Sequence, residues 1–215
     1  MTVLTSCTNL LELNLGQSGL MDLSPLSACI NLVNVKLRVS QREDISPISA
    51  CTKLEIVNLA LNVKLQDISP LSTLTNLCFL NLGYCLKITS LAPLSMCTRL
   101  LELDNSASLL VQDLSPLSAL TNLRYLNIPY NREITSLAPL SMCASLQFLN
   151  LTGNRKLGLQ IQVLAPCTNL NTLVVDRCEI PDTIDPFVHV PRHVPTLAHK
   201  SSTTLLFEQP YWRPE

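Results

Sequence analysis

Apolar residues recur along the chain at a long, nearly fixed period. With Leu10 of Thr-Asn-Leu as the anchor, the equivalent position returns at Leu32, Leu54, Leu77, Leu100, Leu123, Leu146 and Leu170, in steps of 22 to 24. From each anchor the chain reads apolar-x-x-apolar-x-apolar, as in Leu77-Cys78-Phe79-Leu80-Asn81-Leu82. The closing apolar-x-apolar triplet has period two, which predicts a short strand with alternate side chains inward. Three residues later stands a small hydrogen-bonding residue: Ser18, Ser40, Asn62, Cys85, Ser108, Asn131, Asn154 or Cys178. There it can satisfy backbone groups that the turn leaves unpaired. A Ser-Pro or Ala-Pro step follows, with proline at 25, 47, 70, 93, 116, 139 and 166. Proline is well tolerated at the first helical position, so this step predicts a helical or 3₁₀ turn, with Ser24, Ser46, Ser69 and Ser115 as expected caps.

Together these positions spell L-x-x-L-x-L-x-x-N/C-x-L. The phrase Ile68-Ser-Pro-Leu-Ser-Thr-Leu-Thr-Asn-Leu77 and its copies resemble the short repeats of bacterial internalins. They also resemble the repeat class of the protein phosphatase one regulatory subunit. The resemblance covers about residues 4–180 and implies an α/β fold. That fold is a leucine-rich-repeat solenoid, with a curved parallel sheet of short strands on its concave face and short helical or 3₁₀ turns on its convex face. Each repeat would bury its apolar face only against its neighbours.

The expected organisation is a solenoid of about eight repeats over 1–180 and an irregular tail over 181–215, where Pro181, Pro186, Pro191, Pro195, Pro210 and Pro214 break regular structure. Phe187, Val188 and Val190 are candidates to fold over the last repeat. No capping segment precedes the first repeat, so Leu4, Leu10, Leu13 and Leu15 are expected to face water at an open sheet edge. A longer protein, an incomplete reading frame or a dimer at that end would each account for it. Residues 67–100 match 113–146 at 23 of 34 positions, which points to duplication of a two-repeat unit. One repeat departs from the pattern: Asn105 stands where its equivalents are apolar, which implies a degenerate repeat with a local shift or a retained water, or else a deliberate kink.

Composition narrows the functions. Leucine supplies 45 of 215 residues and glycine only 5, and the net charge is −1. Such a chain carries no basic footprint for nucleic acid and no glycine-rich loop for phosphates. No apolar run reaches the ~18 residues of a membrane span, and no secretory signal is visible, so an intracellular location is expected. Cys7, Cys29, Cys51, Cys97, Cys143 and Cys167 share a slot that holds Leu74 and Leu120 in the other two repeats. A slot that accepts Cys or Leu is an apolar one, so these thiols are expected to be buried and unpaired, which favours a reducing compartment. The three histidines, His189, His193 and His199, all lie in the tail, and Pro191 interrupts the metal-like spacing of the first two. Neither catalytic residues nor a metal or other cofactor is expected.

The outward strand positions are more informative. One row carries Phe79, Tyr125 and Phe148, and the next carries Asn81, Asn127 and Asn150. Tyr84 and Tyr130 fall just past their strands. None of these aromatics is needed for a core of Leu, Ile, Val and Cys, and exposed aromatics are enriched at interface hot spots. The expected site is a protein-binding patch on the concave face, made of Phe79, Asn81, Tyr84, Tyr125, Asn127, Tyr130, Phe148 and Asn150. The expected function is a non-enzymatic interaction module that holds a protein partner. The alternatives are an exported internalin-like adhesin and the recognition segment of a larger enzyme.

Overall fold

The computed structural model describes residues 2–20, 22–39, 41–157, 161–178 and 196–197. The period-two triplets form the strands β1 (Glu12–Asn14), β2 (Asn34–Lys36), β3 (Ile56–Asn58), β4 (Phe79–Asn81), β5 (Glu102–Asp104), β6 (Tyr125–Asn127), β7 (Phe148–Asn150) and β8 (Thr172–Val174). They pair in parallel and in sequence order, so each residue faces its repeat equivalent. The middle residue of every strand from β2 to β8 is fully buried. A further strand, β9 (Thr196–Leu197), pairs with β8 and extends the sheet from within the tail. The rest of the tail, with the proposed cap at 187–190 and all three histidines, lies outside the described residues.

At the other edge, Leu4, Leu10, Leu13 and Leu15 are partly buried and packed against the core, while Leu11 is exposed. The 3₁₀ turn Thr2–Ser6 is the convex turn of the first repeat, and its contacts run to the next turn, Ser24–Ala28.

Every convex turn is 3₁₀, and those of repeats two to seven begin at the Ser/Ala-Pro step. The expected serine caps are corrected here. Ser24, Ser46, Ser69 and Ser115 are the first residues of their turns, and the capping side chain comes from two residues earlier. The Oδ1 atoms of Asp22, Asp44, Asp67 and Asp113 accept the serine N–H at 2.7–2.8 Å. Where serine replaces this aspartate, Ser90 and Ser136 accept the N–H of Ala92 and Ala138. The Ser115 hydroxyl and N–H hold the Asp113 carboxyl below the usual carboxylate range. A carboxylate lowered in the folded state stabilises it above the ordinary aspartate value of about 3.9, and that contribution fades as pH falls through the folded value. Asp113→Ala should therefore cost a few tenths to about 1 kcal/mol at pH 7, and the difference from the parent in urea midpoint should shrink below about pH 4.

Each strand ends in a corner where one residue takes positive φ: Gln17, Val39, Leu61, Tyr84, Ala107, Tyr130, Gly153 and Arg177. Only one of the eight is glycine. In this geometry the corner N–H reaches the next repeat, as Tyr84 N–H does to the Ser106 carbonyl at 2.8 Å and Tyr130 N–H to that of Thr152 at 2.7 Å. A bulky residue there costs about 1–3 kcal/mol, which the neighbouring repeat must offset.

Behind the corner runs a polar ladder. Asn62 Nδ2 donates to the carbonyls of Leu37 and Leu59, and Asn154 Nδ2 to those of Ile128 and Leu151. In the second repeat a buried arginine takes this place. Arg42 donates from Nη1 to the Leu37 carbonyl, from Nη2 to that of Leu15 and from Nε to that of Leu20. The pair Leu15 and Leu37 is the one an asparagine in that repeat's slot would bridge. Asn105 is fully buried; its Oδ1 accepts the Ser108 hydroxyl at 2.7 Å, and its Nδ2 has no partner.

The shared cysteine slot lies inside the convex layer. Cys29, Cys51, Cys97, Cys143 and Cys167 are fully buried, and each S–H donates to a carbonyl in the preceding repeat's turn at 3.3–3.4 Å. All nine cysteines are free thiols. Burial pushes Cys51 and Cys97 up to about 11 and Cys143 up to about 12, so these sulfurs stay protonated near neutral pH.

Candidate functional site

The concave face presents two outward residues per strand, the first and third, because strand side chains alternate. The first positions of β3 to β8 are Ile56, Phe79, Glu102, Tyr125, Phe148 and Thr172, placed side by side by the register. All six are half-buried. The Tyr125 and Phe148 rings stack with centroids 4.3 Å apart and planes 9° apart. Strand spacing brings the two Cα atoms to about 5 Å, so the parallel stack follows from the register. Phe79 is one strand beyond Glu102 in the same row. The row is thus an aromatic pair, a carboxylate and a third ring.

The third positions of β4 to β7 are Asn81, Asp104, Asn127 and Asn150. The last three form a bonded chain. The Oδ1 of Asn81 accepts the Gly83 N–H at 2.8 Å, and that of Asn150 accepts the Thr152 N–H at 2.9 Å. Asp104 does the same for Ser106. Asn127 cannot, because Pro129 has no N–H. Its Oδ1 accepts the Asn150 Nδ2–H at 2.9 Å instead, and its own Nδ2 donates to Asp104 Oδ2 and to the Ser106 hydroxyl, each at 3.0 Å. Much of the hydrogen-bonding capacity of this column therefore goes into closing the strand ends and joining repeats. The Asn81 amide donates to no partner among the described residues. Asp104 and Ser106 belong to the same network and were not among the residues read as a site. The Asn-x-Pro run at 127–129 was the signal for it.

Tyr84 and Tyr130 sit apart from the strand rows. They occupy the positive-φ corners at the strand-exit rim and are 50% and 37% exposed. Tyr130 leans across Gly153: a Cβ at that glycine would meet the Tyr130 ring at 2.5 Å. This contact, and not turn geometry alone, accounts for the one glycine in the corner column. The structure thus brings Phe79, Tyr125, Phe148, Asn81, Asn127 and Asn150 onto one surface, with the two tyrosines along its border.

Residues 121–166 match the family model for leucine-rich repeats, two copies. An internalin (inlF) of Listeria monocytogenes superposes with a TM-score of 0.73 at 28% identity, over 94% of this chain and 64% of that one. The chain therefore spans just under two thirds of that internalin. Internalin C2 (inlC2) of the same organism superposes with a TM-score of 0.80 at 24% identity, over 91% of this chain and 84% of that one, a likeness of fold. The chain is a leucine-rich-repeat solenoid. No curated protein matches its sequence.

A leucine-rich-repeat solenoid of the internalin type offers an extended concave surface, and surfaces of this kind generally serve protein–protein interaction. Among the described residues, no helix of the solenoid is long and apolar enough to cross a membrane. No group of three or more His, Cys, Asp or Glu among them is placed to hold a metal ion.

Proposed function

We propose that the solenoid is a non-enzymatic module that holds a protein partner on its concave face, centred on Phe79, Tyr125 and Phe148. The observation that carries this reading is the stacked Tyr125–Phe148 pair, displayed half-exposed on a face whose core needs no aromatic. Rigid rings held by a sheet lose little conformational freedom on binding, which is why such anchors dominate interface energies. Asn81 supplies the amide beside them, while Asn150 closes its strand end and Asn127 ties three neighbouring repeats together. Tyr84 and Tyr130 border the patch.

The test is affinity capture from lysate of the source cell, read by mass spectrometry, with the parent beside a Phe79→Asp, Tyr125→Asp, Phe148→Asp variant. Circular dichroism must first show both equally folded. The expected result is a protein held by the parent and lost by the variant, with affinity reduced at least about a hundredfold, the effect of removing two or three hot-spot anchors. Equal capture by both would overturn the site. The likeness to two internalins makes an exported adhesin the second reading, and antibody labelling of intact source cells would separate it from an internal module.

A further inference from the structure

β9 lies in parallel on β8, with Thr196 opposite Leu173 and Leu197 opposite Val174. It returns the chain to the sheet whose outward face carries the rings. Residues 198–215 follow from that edge, outside the described residues. Within them Phe207-Glu-Gln-Pro-Tyr-Trp-Arg213 gathers three aromatic residues beside one cation. The concave rows carry the complement. Of the outward positions of β3 to β8, only Glu102 and Asp104 are charged, and both are on β5. The Tyr125–Phe148 stack lies on the β9 side of them and Phe79 on the other. Lys36 and Arg38 come three strands farther on, and the buried Nε of Arg38 has no hydrogen-bond partner among the described residues. Other charges stand off the rows. Glu55, Arg99 and Arg124 precede their strands, and Asp176 follows β8, paired with Arg177 at 3.7 Å. From β9 inward the face is therefore two rings, two carboxylates, a third ring and two cations.

We propose that this face takes the C-terminal segment of its own chain. Tyr211 and Trp212 lie over the Tyr125–Phe148 pair, and Arg213 lies against Glu102 and Asp104. The order along the segment matches the order across the sheet: a chain coming from β9 meets the rings before the carboxylates, and Trp212 precedes Arg213. A guanidinium held there gains charge-assisted hydrogen bonds and the faces of neighbouring rings. Glu208 falls about 16 Å before Arg213 along an extended chain, clear of the β5 carboxylates, and Glu215 about 7 Å beyond, toward Lys36 and Arg38. Reach allows it: β9 to β5 is four strand spacings, about 19 Å, and residues 198–213 extend to about 50 Å. Tethering at β9 holds the segment at an effective concentration in the millimolar range, which favours it over the same segment of a second copy. The inference rests on the concave face being the binding site, and it gives that site a ligand class. A partner must displace the tail, and the chemistry that does so is an aromatic residue followed by Arg or Lys.

Trp212 is the only tryptophan, so its emission in the full chain reports docking. A contact with an intrinsic Kd of about 0.1 mM, held at about 1 mM, leaves about a tenth of the molecules open. The parent should therefore show blue-shifted emission and weak quenching by acrylamide. Arg213→Glu and Glu102→Lys should each weaken the contact at least about tenfold, which raises the quenchable fraction to about a half or more. The two together, with the charges exchanged, should return it toward the parent value, which a role in folding alone would not do. The Phe79→Asp, Tyr125→Asp, Phe148→Asp variant should free Trp212 as well. Circular dichroism must show every variant folded as the parent is. The same quenching in all of them, or no recovery in the exchanged pair, would overturn the proposal. So would emission that changes on dilution from about 100 to about 1 μM, which would place the tail on a second copy. Lysate capture separates this inference from the reading it rests on. The double variant Trp212→Ser, Arg213→Ser should hold more partner than the parent. Capture equal to the parent's, with Trp212 of the parent already quenchable, would sink the tail and keep the concave site. A shielded Trp212 with no protein captured by either would keep the tail and sink the module.

Discussion

Arg42→Met should lower the unfolding free energy by about 2–4 kcal/mol, with the loss confined to the first two repeats. The methionine keeps most of the apolar stem, so the change removes donors more than volume. The Leu20 carbonyl loses the bond that Nε makes at 3.1 Å. The carbonyls of Leu15 and Leu37 keep other donors, Ser18 N–H and Oγ for the first and Asn62 Nδ2 for the second, so neither is left unpaired. Burial lowers the Arg42 pKa, and removing a desolvated charge gives back part of the cost. A solenoid is held by nearest-neighbour contacts, so the damage should show as faster amide exchange in residues 12–39 with little change beyond β4. Uniform exchange across all repeats, or an unchanged urea midpoint, would show that the guanidinium does not secure this end.

What could be read from the sequence follows from period. The strands, their parallel order and the convex turns repeat every 22 to 24 residues, so one correct assignment fixes eight. The aromatic row was legible for the same reason: Phe79, Tyr125 and Phe148 alternate with buried leucines. Features set by a single geometric choice were not legible. Seven of the eight corner residues adopt positive φ without being glycine, because the interrepeat hydrogen bonds compel it, and propensity carries no trace of that. Arg42 lies two residues outside the slot whose carbonyls it bridges, so column alignment misses it. Serine before proline suggests a serine cap. The better sign was Asp-x-Ser, at Asp22, Asp44, Asp67 and Asp113, where the carboxylate reaches the N–H two residues on. The asparagine column looked free for a partner, whereas its carbonyls close the strand ends. Only Pro129, which lacks an N–H, hinted that Asn127 must bond elsewhere.

Asn105→Leu should raise stability by about 1–3 kcal/mol. Its equivalents Leu37, Leu59, Leu82, Ile128 and Leu151 are fully buried in one apolar column, whereas Asn105 brings an amide nitrogen with no partner into it. An unpaired buried donor costs about 1–3 kcal/mol, and leucine adds apolar burial against Leu82 and Ile128. Two local bonds set the limits. The Asn131 Nδ2–H donates to the Asn105 main-chain carbonyl at 2.8 Å and survives the change. The Ser108 hydroxyl loses its acceptor, so the gain should grow when Ser108→Asn is added and an amide can bridge carbonyls as Asn62 does. Position matters as much as energy. Asn105 lies in repeat five of eight, and a weak interface in the middle of a linear array lets the two halves unfold separately. The double variant should therefore raise the urea midpoint and steepen the transition, the mark of a larger cooperative unit. A lower midpoint would mean that the column narrows at repeat five and has no room for leucine, which would make the asparagine a packing solution at the centre of the concave sheet, next to Asp104 on β5.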